Sequence, residues 1–546
     1  MNVLPLRYWP FVACILLALV SLAGLHWSEA WLWSALVFGT LSLIGWRDLM
    51  QNPHTLRRNY PVIAHLRYFL ESIGPEIRQY FIESDTDERP FSRQQRSIVY
   101  QRAKNALDKR PFGTQLDVYA DKYEWINHSL ATTDIASHDF RIAIGPGRAQ
   151  PYSASVFNIS AMSFGALSAN AIRALNEGAR RGNFYQDTGE GSISQYHREN
   201  GGDLVWEIGS GYFGCRGEDG KFSEANFVTN ATSAQVKMIE VKLSQGAKPG
   251  HGGVLPGVKV SPEIAAARGV PVGVDCISPP RHSAFSTPVG LLQFVDRLRN
   301  LSGGKPTGFK LAVGHPWEWF AIAKAMQETG VLPDFIVVDG GEGGTGAAPL
   351  EFTDHVGAPL REALLLIHNT LVGLNLRQHI RIGAAGKVIT AFDIARTLAL
   401  GADWCNAARG YMFSLGCIQS LSCHTDRCPT GVATQNQQRQ KALVPEDKAT
   451  RVHRFHENTL MALRELMAAA GLNHPDELGP EHIIRRVSST EVRSLAVLHR
   501  FMQPGELLLG GSVPEHPAFQ MFWPDARSDS FAAPARVQAM RASKLT

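Results

Sequence analysis

From about residue 150 the chain repeats one pattern: a short apolar run, a stop at glycine, serine or an acid, then a helical stretch. "SVFNISAMSFGALS" leads into "ANAIRALNEGARRG", and "NFYQDTGEGS", "LVWEIGSGYFG" and "QVKMIEVKLSQGAKPGHGG" follow. "PTGFKLAVG", "DFIVVDGGEGGTG", "IRIGAAGKV" and "ADWCNAARG" complete about eight units. Sequential strands separated by helices must lie parallel, and eight such units close into a barrel with its site past the strands' C-terminal ends. A doubly wound open sheet competes, but no GxGxxG follows the first strand. The expected fold is therefore α/β, a (β/α)8 TIM barrel.

At 546 residues the chain exceeds one barrel. The pattern divides it into an N-terminal hairpin at 1–50, a helical collar at 51–137, the barrel at 138–440 and a helical C-terminal extension at 441–546. A net charge of +4 is small for this length and makes no case for nucleic acid.

The N-terminus is apolar twice over, in "WPFVACILLALVSLAGLH" (Trp9–His26) and "AWLWSALVFGTLSLIGW" (Ala30–Trp46). Each run is long enough to cross a bilayer, and tryptophans flank both. A signal peptide is the rival reading, although no clean cleavage site separates the runs; a buried helical hairpin stays open. Arg7 precedes the first run, Glu29 lies between them, and Arg47, Arg57 and Arg58 follow the second. The positive-inside bias then puts both ends, and the catalytic domain, on the cytoplasmic side of the inner membrane, with the chain crossing twice. A reducing compartment argues against a structural disulfide.

Several loops carry chemistry. "GAAGKV" (Gly383–Val388) and "AARGYM" (Ala407–Met412) stand where barrels hold phosphate, with Lys387 and Arg409 adding charge. Lys310, in "FKLAVG", is placed to stabilise a reduced flavin ring, if it is not a surface lysine. "VVDGGEGGTGAAP" (Val337–Pro349) excludes bulky side chains behind a buried strand, which suits a planar cofactor; a plain flexible loop is the alternative. "GAKPGHGGVLPG" (Gly246–Gly257) has the stiffness of a substrate loop, and its Lys248 offers a carboxylate partner, as does Arg268 farther on.

Three of the seven cysteines are Cys417, Cys423 and Cys428, followed by Pro429. Zinc sites use tighter paired spacing, whereas three thiolates in one loop with a following proline match an iron–sulfur site. Three ligands suggest a three-iron cluster. Cys405 is a candidate fourth ligand or a core residue.

Together, "SAMSFGALS", "DTGEGS", "SGYFG", "GAKPGHGGVLPG", "ISPPRH", "GGTGAAP" and "CPTGVATQ" resemble, in this order, the FMN- and iron–sulfur-binding synthase domain of glutamate synthase. The resemblance is greatest to its stand-alone, membrane-anchored bacterial relatives and runs from about Asn158 to Gln435. It implies FMN held by Ser160, Ala161 and Met162, with Lys310, Gly341, Gly343 and Gly344 at the ring. It places Gly386, Lys387, Arg409 and Gly410 at the phosphate, and a [3Fe-4S] cluster on Cys417, Cys423 and Cys428. It also implies reduction of 2-iminoglutarate, formed from 2-oxoglutarate and ammonia, to L-glutamate, with Lys248 and Arg268 on the keto acid's carboxylates. Electrons would come from a ferredoxin-like protein or a membrane carrier, and ammonia from solution or a separate amidotransferase.

The chain departs from the family pattern near the keto-acid site. His251 and Val254 replace an acidic and an amide residue, Tyr212 stands where arginine is usual, and "SPPRHSA" has one histidine and no aspartate. A different amine or keto acid is therefore a competing substrate. A membrane electron-relay subunit without its own substrate is the competing role.

Overall fold

The computed structural model describes residues 5–543 except 52, 85, 87, 88 and 510–515. The chain forms two compact units, Met1–Pro90 and Phe91–Thr546.

In the first unit, helices α1 (Trp9–Gly24) and α2 (Trp31–Met50) pack together. Small residues permit this: the Ser21 and Ser34 hydroxyls share a 2.5 Å hydrogen bond across the pair, and a Cβ on Gly24 would meet the Trp31 ring. Of the two spans expected from the sequence, only Leu6–Gly24 is both long and apolar enough to cross a membrane. The second helix carries Arg47 and Asp48 in its last turn, which dilute its apolar length. Asp48 is buried and accepts hydrogen bonds from His65 Nε2 (2.9 Å) and the Val62 N–H (3.0 Å), closing the turn into helix Ala64–Ile77.

The second unit contains the expected barrel. Its strands are β1 (Phe157–Ile159), β2 (Gln186–Asp187), β3 (Leu204–Ile208), β4 (Val236–Lys242), β5 (Thr307–Leu311), β6 (Phe335–Asp339), β7 (Arg381–Ala385) and β8 (Trp404–Ala407). They pair in parallel in chain order, and Cys405 of β8 opposite Phe157 of β1 closes the ring. Buried on both faces, the strands read as apolar runs rather than alternating ones. Polar side chains within them therefore point either at a partner or into the barrel.

Caps fix where the helices begin. Ser168 Oγ accepts from Ala171 N–H at the helix after β1, and Thr390 with Asp393 forms a capping box after β7. The 25-residue helix Pro445–Ala469 packs on Ala169–Arg181 at Gly178, where a Cβ would lie 2.5 Å from Val452 Cγ1. Between β4 and β5 an antiparallel clip, Val254–Leu255 with Cys276–Ile277, holds the helix Pro262–Arg268. It turns the longest barrel loop into a built wall beside the mouth.

Candidate functional site

The barrel mouth is where loops meet backbone to backbone. Ser160 N–H donates to Ala407 O at 3.0 Å, fastening the Ser160–Met162 turn after β1 to the end of β8. Gly189 adopts a left-handed φ of +64°, and a Cβ there would sit 2.7 Å from Ser163 N, so the loop after β2 touches the loop after β1.

Across the mouth the predicted glycines let neighbouring loops pack closely. A Cβ on Gly341 would lie 2.8 Å from Gly357 O, on Gly343 3.0 Å from Ala247 N, and on Gly344 2.8 Å from Arg409 Nη1. Gly386 faces Leu360. Arg409 Nη2 donates to Glu342 O at 2.9 Å; burial lowers its guanidinium to about 10 against the pull of Asp339 and Glu342. Lys387 Nζ and Arg409 Cζ stand 6.0 and 4.7 Å from the buried ring of Phe91, a residue that nothing in the local sequence singles out. Gly410 instead faces Ile389, Ala407 and Phe455 in the core.

Lys310 is wholly inside the barrel. Its ammonium bonds to Glu207 and lies 3.4 Å from Glu240 Oε1. Asp187, Glu207 and Glu240 bring carboxylate oxygens within 4.8 Å of one another, and the Lys310 ammonium already supplies a cation among them. Burial raises Asp187 to about 7, helped by Glu207 and opposed by Lys310. Burial likewise holds Glu240 well above the carboxylate range although Lys310 opposes it. For Lys310 burial works downward, but Glu207, Glu240 and Asp187 outweigh it and keep the amine firmly charged. Sequence reading identified Lys310 and missed its acids. The available signal was strand parity: Glu207, Glu240 and Lys310 fall on inward positions once β3, β4 and β5 are in register.

A second charged group lies above it. Lys242 Nζ is 3.1 Å from Glu190 Oε1, and Ser278 Oγ donates to Glu190 Oε2 at 3.4 Å. Burial would raise the Glu190 carboxyl, but Lys242, Arg268 and Lys248 bring it below its ordinary value. Lys248 is buried, its ammonium makes no hydrogen bond or ion pair among the described residues, and burial lowers the amine to about 8 against the pull of Glu190. Arg268 Nη2 donates to Phe164 O (3.1 Å), its guanidinium lies 5.2 Å from the Phe213 ring centroid, and its Nε has no partner. The two predicted carboxylate ligands thus act on one carboxylate, Glu190, which sequence reading did not select.

The departures from the family pattern have structural roles. Tyr212 is 1% exposed; its hydroxyl accepts from Ser283 N–H (3.1 Å) and Ala284 N–H (3.0 Å). Burial lowers His282 to about 4, so its imidazole is neutral; Nε2 donates to Lys242 O (2.9 Å) and Nδ1 accepts from Tyr212 O–H (3.2 Å). Tyr212 and the histidine of "SPPRHSA" therefore brace one another and hold the backbone of Lys242. Val254 is paired in the clip, and half-buried His251 makes a local bond to Gly252 O (2.8 Å) beside the Phe352 ring.

All seven cysteines are free thiols. Cys417 follows the left-handed Gly416, and its carbonyl accepts from Tyr100 O–H at 2.5 Å. Burial pushes Cys417 up to about 12 and raises Cys423. Burial would raise Cys428 too, but hydrogen bonds from Thr430 Oγ1 and the backbone of Ala433, Thr430 and Val432 bring it below its ordinary value. The three sulfurs do not close to the mutual 4.8 Å spacing at which one metal ion takes all of them. Cys405 is fully buried in β8, where burial drives its thiol far up. The cysteine loop belongs to the mouth: a Cβ on Gly346 would lie 3.0 Å from Cys423 Cβ, and Gln435 Nε2 donates to Gly165 O (3.0 Å) and Leu167 O (2.9 Å).

Residues 115–473 match the family model described as the conserved region in glutamate synthase. The chain is 38% identical over 498 residues to the glutamate synthase large subunit-like protein YerD of Bacillus subtilis (strain 168), covering 84% of this chain and 94% of that one. It is 35% identical to the archaeal glutamate synthase (NADPH) of Methanocaldococcus jannaschii, over 62% of this chain and 64% of that one. The archaeal-type glutamate synthase (NADPH) of Thermotoga maritima is 34% identical, over 61% and 62%. The chain thus spans slightly under two thirds of these two relatives. With the match running from before β1 to beyond the cysteine loop, this chain belongs to the glutamate synthase family.

Proposed function

We propose that this chain is a membrane-anchored oxidoreductase that uses FMN and a [3Fe-4S] cluster to reduce 2-iminoglutarate, formed from 2-oxoglutarate and ammonia, to L-glutamate. The observation that carries the reading is Lys248, a buried residue whose ammonium feels Glu190 but makes no hydrogen bond or ion pair among the described residues, standing with Arg268 and the Lys242–Glu190 pair at the mouth of the barrel that encloses Lys310. An unpaired buried cation is costly unless an anion completes it, and a carboxylate is the anion this family handles.

The residues fit the groups invoked. Gly341, Gly343, Gly344 and Gly386 let the mouth loops approach one another without side chains between them, leaving backbone for a flat cofactor to lie against, and Lys387 and Arg409 bring charge there for a phosphate. The thiol donors Cys417, Cys423 and Cys428, three free cysteines in one loop at the mouth, are the ligand type an iron–sulfur cluster takes. When bound, FMN supplies hydride chemistry and an iron–sulfur cluster supplies single electrons.

The chain's own residues bind, orient and hold charge. Lys248 and Arg268 take the acid's carboxylate. Glu190, kept ionised by its three cations, accepts hydrogen bonds from the imine or ammonia nitrogen. Lys310, locked by Glu207 and Glu240, keeps positive charge in the barrel, and Asp187, raised to about 7, exchanges a proton near neutral pH. A ferredoxin-like protein or a membrane carrier supplies electrons, and ammonia comes from solution or a separate amidotransferase. Leu6–Gly24 and the arginines after α2 support anchorage to the inner membrane with the barrel in the cytoplasm. A different keto acid is the second reading, favoured by Val254 and His251, which stand where the family pattern has an amide and an acidic residue.

The test uses the full chain purified anaerobically in detergent. Flavin absorption, a three-iron EPR signal and reoxidation of reduced flavin that needs both 2-oxoglutarate and ammonium are expected. Reoxidation by another keto acid alone would transfer the reading to that acid, and a chain without flavin would overturn it.

A further inference from the structure

Lys259 closes the 3₁₀ turn Gly257–Lys259, directly after the substrate loop. It is 3% exposed, and its ammonium donates to Ala166 O at 3.1 Å and Ala433 O at 3.0 Å. Ala166 belongs to the loop after β1 that begins with Ser160–Met162, and Ala433 to the segment after Cys428. One side chain therefore ties the substrate, cofactor and cysteine loops together.

Two carbonyl bonds do not require a charge, because a neutral amide supplies two N–H donors as well. A buried ammonium is retained only where anions offset its desolvation. The groups whose charge acts on Lys259 are Asp426, Cys423 and Cys428. Asp426 Oδ1 is already engaged, accepting from Gln435 N–H (2.6 Å) and Thr434 Oγ1 (3.2 Å). Asp426 is the largest of these opposing charges, with Cys423 and Cys428 on either side of it in the chain adding to it, and Ala433, whose carbonyl Lys259 holds, gives its own N–H to Cys428.

We propose that Lys259 is a positioning residue that pins the substrate loop to the cysteine loop and holds a positive charge beside Cys423 and Cys428, raising the reduction potential of the centre they bind. This rests on the iron–sulfur reading of the three cysteines. A fixed cation favours the state with one more electron, and net charge around the sulfurs is a main determinant of such potentials.

The experiment is an EPR-monitored redox titration of the full chain carrying Lys259→Gln, Lys259→Met or Lys259→Arg, with hydrogen exchange as a second readout. Lys259→Gln keeps two donors and loses the charge. It should favour the oxidised centre at least tenfold, a fall of about 59 mV for one electron, with flavin content and loop exchange unchanged. Lys259→Arg should restore the potential. Lys259→Met should lower it similarly and also speed exchange in the segments 160–167 and 429–436. An unchanged potential in Lys259→Gln, with the wild-type signal present, overturns the charge role, and unchanged exchange in Lys259→Met overturns the pin. A wild-type chain with no cluster signal overturns the iron–sulfur reading instead, and the two failures are distinguishable.

Discussion

Lys242 at the end of β4 and Glu190 in the loop after β2 form a largely buried ion pair, Nζ to Oε1 at 3.1 Å, with side chains 8% and 16% exposed. It joins two barrel loops over the mouth. Pairs of this kind contribute little net stability when intact but are expensive to break singly, since the survivor is a buried uncompensated charge. Glu190→Gln should therefore cost about 3 kcal/mol in equilibrium unfolding. Lys242→Met combined with Glu190→Gln should recover part of that loss, and additive losses would show that the two do not interact.

Lys248 should govern acid binding and its pH dependence. Its amine, lowered to about 8, is charged below that pH and neutral above it. KM for the keto acid should be flat below pH 8 and rise toward tenfold per pH unit above, while flavin content stays constant. Lys248→Ala should abolish keto-acid turnover and leave flavin bound. Unchanged turnover in that variant would remove the residue from the site.

Asp187 predicts a pH-dependent stability. Its carboxyl titrates near 3.8 unfolded and about 7 folded. Between those values the folded chain keeps a proton the unfolded chain has lost. Its contribution is therefore fully present below about pH 4 and falls as pH rises to 7, with a slope up to about 1.4 kcal/mol per pH unit. Asp187→Asn should flatten this window relative to wild type. Parallel pH profiles from denaturant unfolding would contradict it.

Tyr212→Phe separates a structural brace from a substrate contact. The change strands the Ser283 and Ala284 N–H groups and removes the donor to His282 Nδ1. A loss of about 1–3 kcal/mol in unfolding is expected. KM for the acid should stay within about twofold, whereas a tenfold rise would return Tyr212 to the substrate.

Much of the site was legible because its residues are local in the chain. Lys310 sits within a strand, the glycines of "DGGEGGTG" directly follow one, and the three cysteines share a single loop. Glu207, Glu240 and Asp187 were not legible as partners of Lys310, because they are 70 to 123 positions away and meet it only when the barrel closes. Phe91 lies still farther from Lys387 and Arg409, in a segment that reads only as a linker. Tyr212 looked like a changed substrate ligand, since sequence position cannot show that its hydroxyl is taken up by backbone N–H groups 71 and 72 residues on.

The sequence by itself determined the eight β/α units, hence the barrel and the face that carries the site, because alternation of apolar run, turn and helix is a local property that leaves few ways to close. It also determined which residue types were available there: glycines, cysteines and a handful of lysines and arginines. Only the tertiary structure decided how their charges are matched. Burial makes each unpaired charge costly, so Lys310 among its acids, Lys242 on Glu190, Lys259 beside the cysteines and Lys248 without a hydrogen bond or ion pair among the described residues are distinctions that arise only when distant strands and loops are brought within a few ångströms.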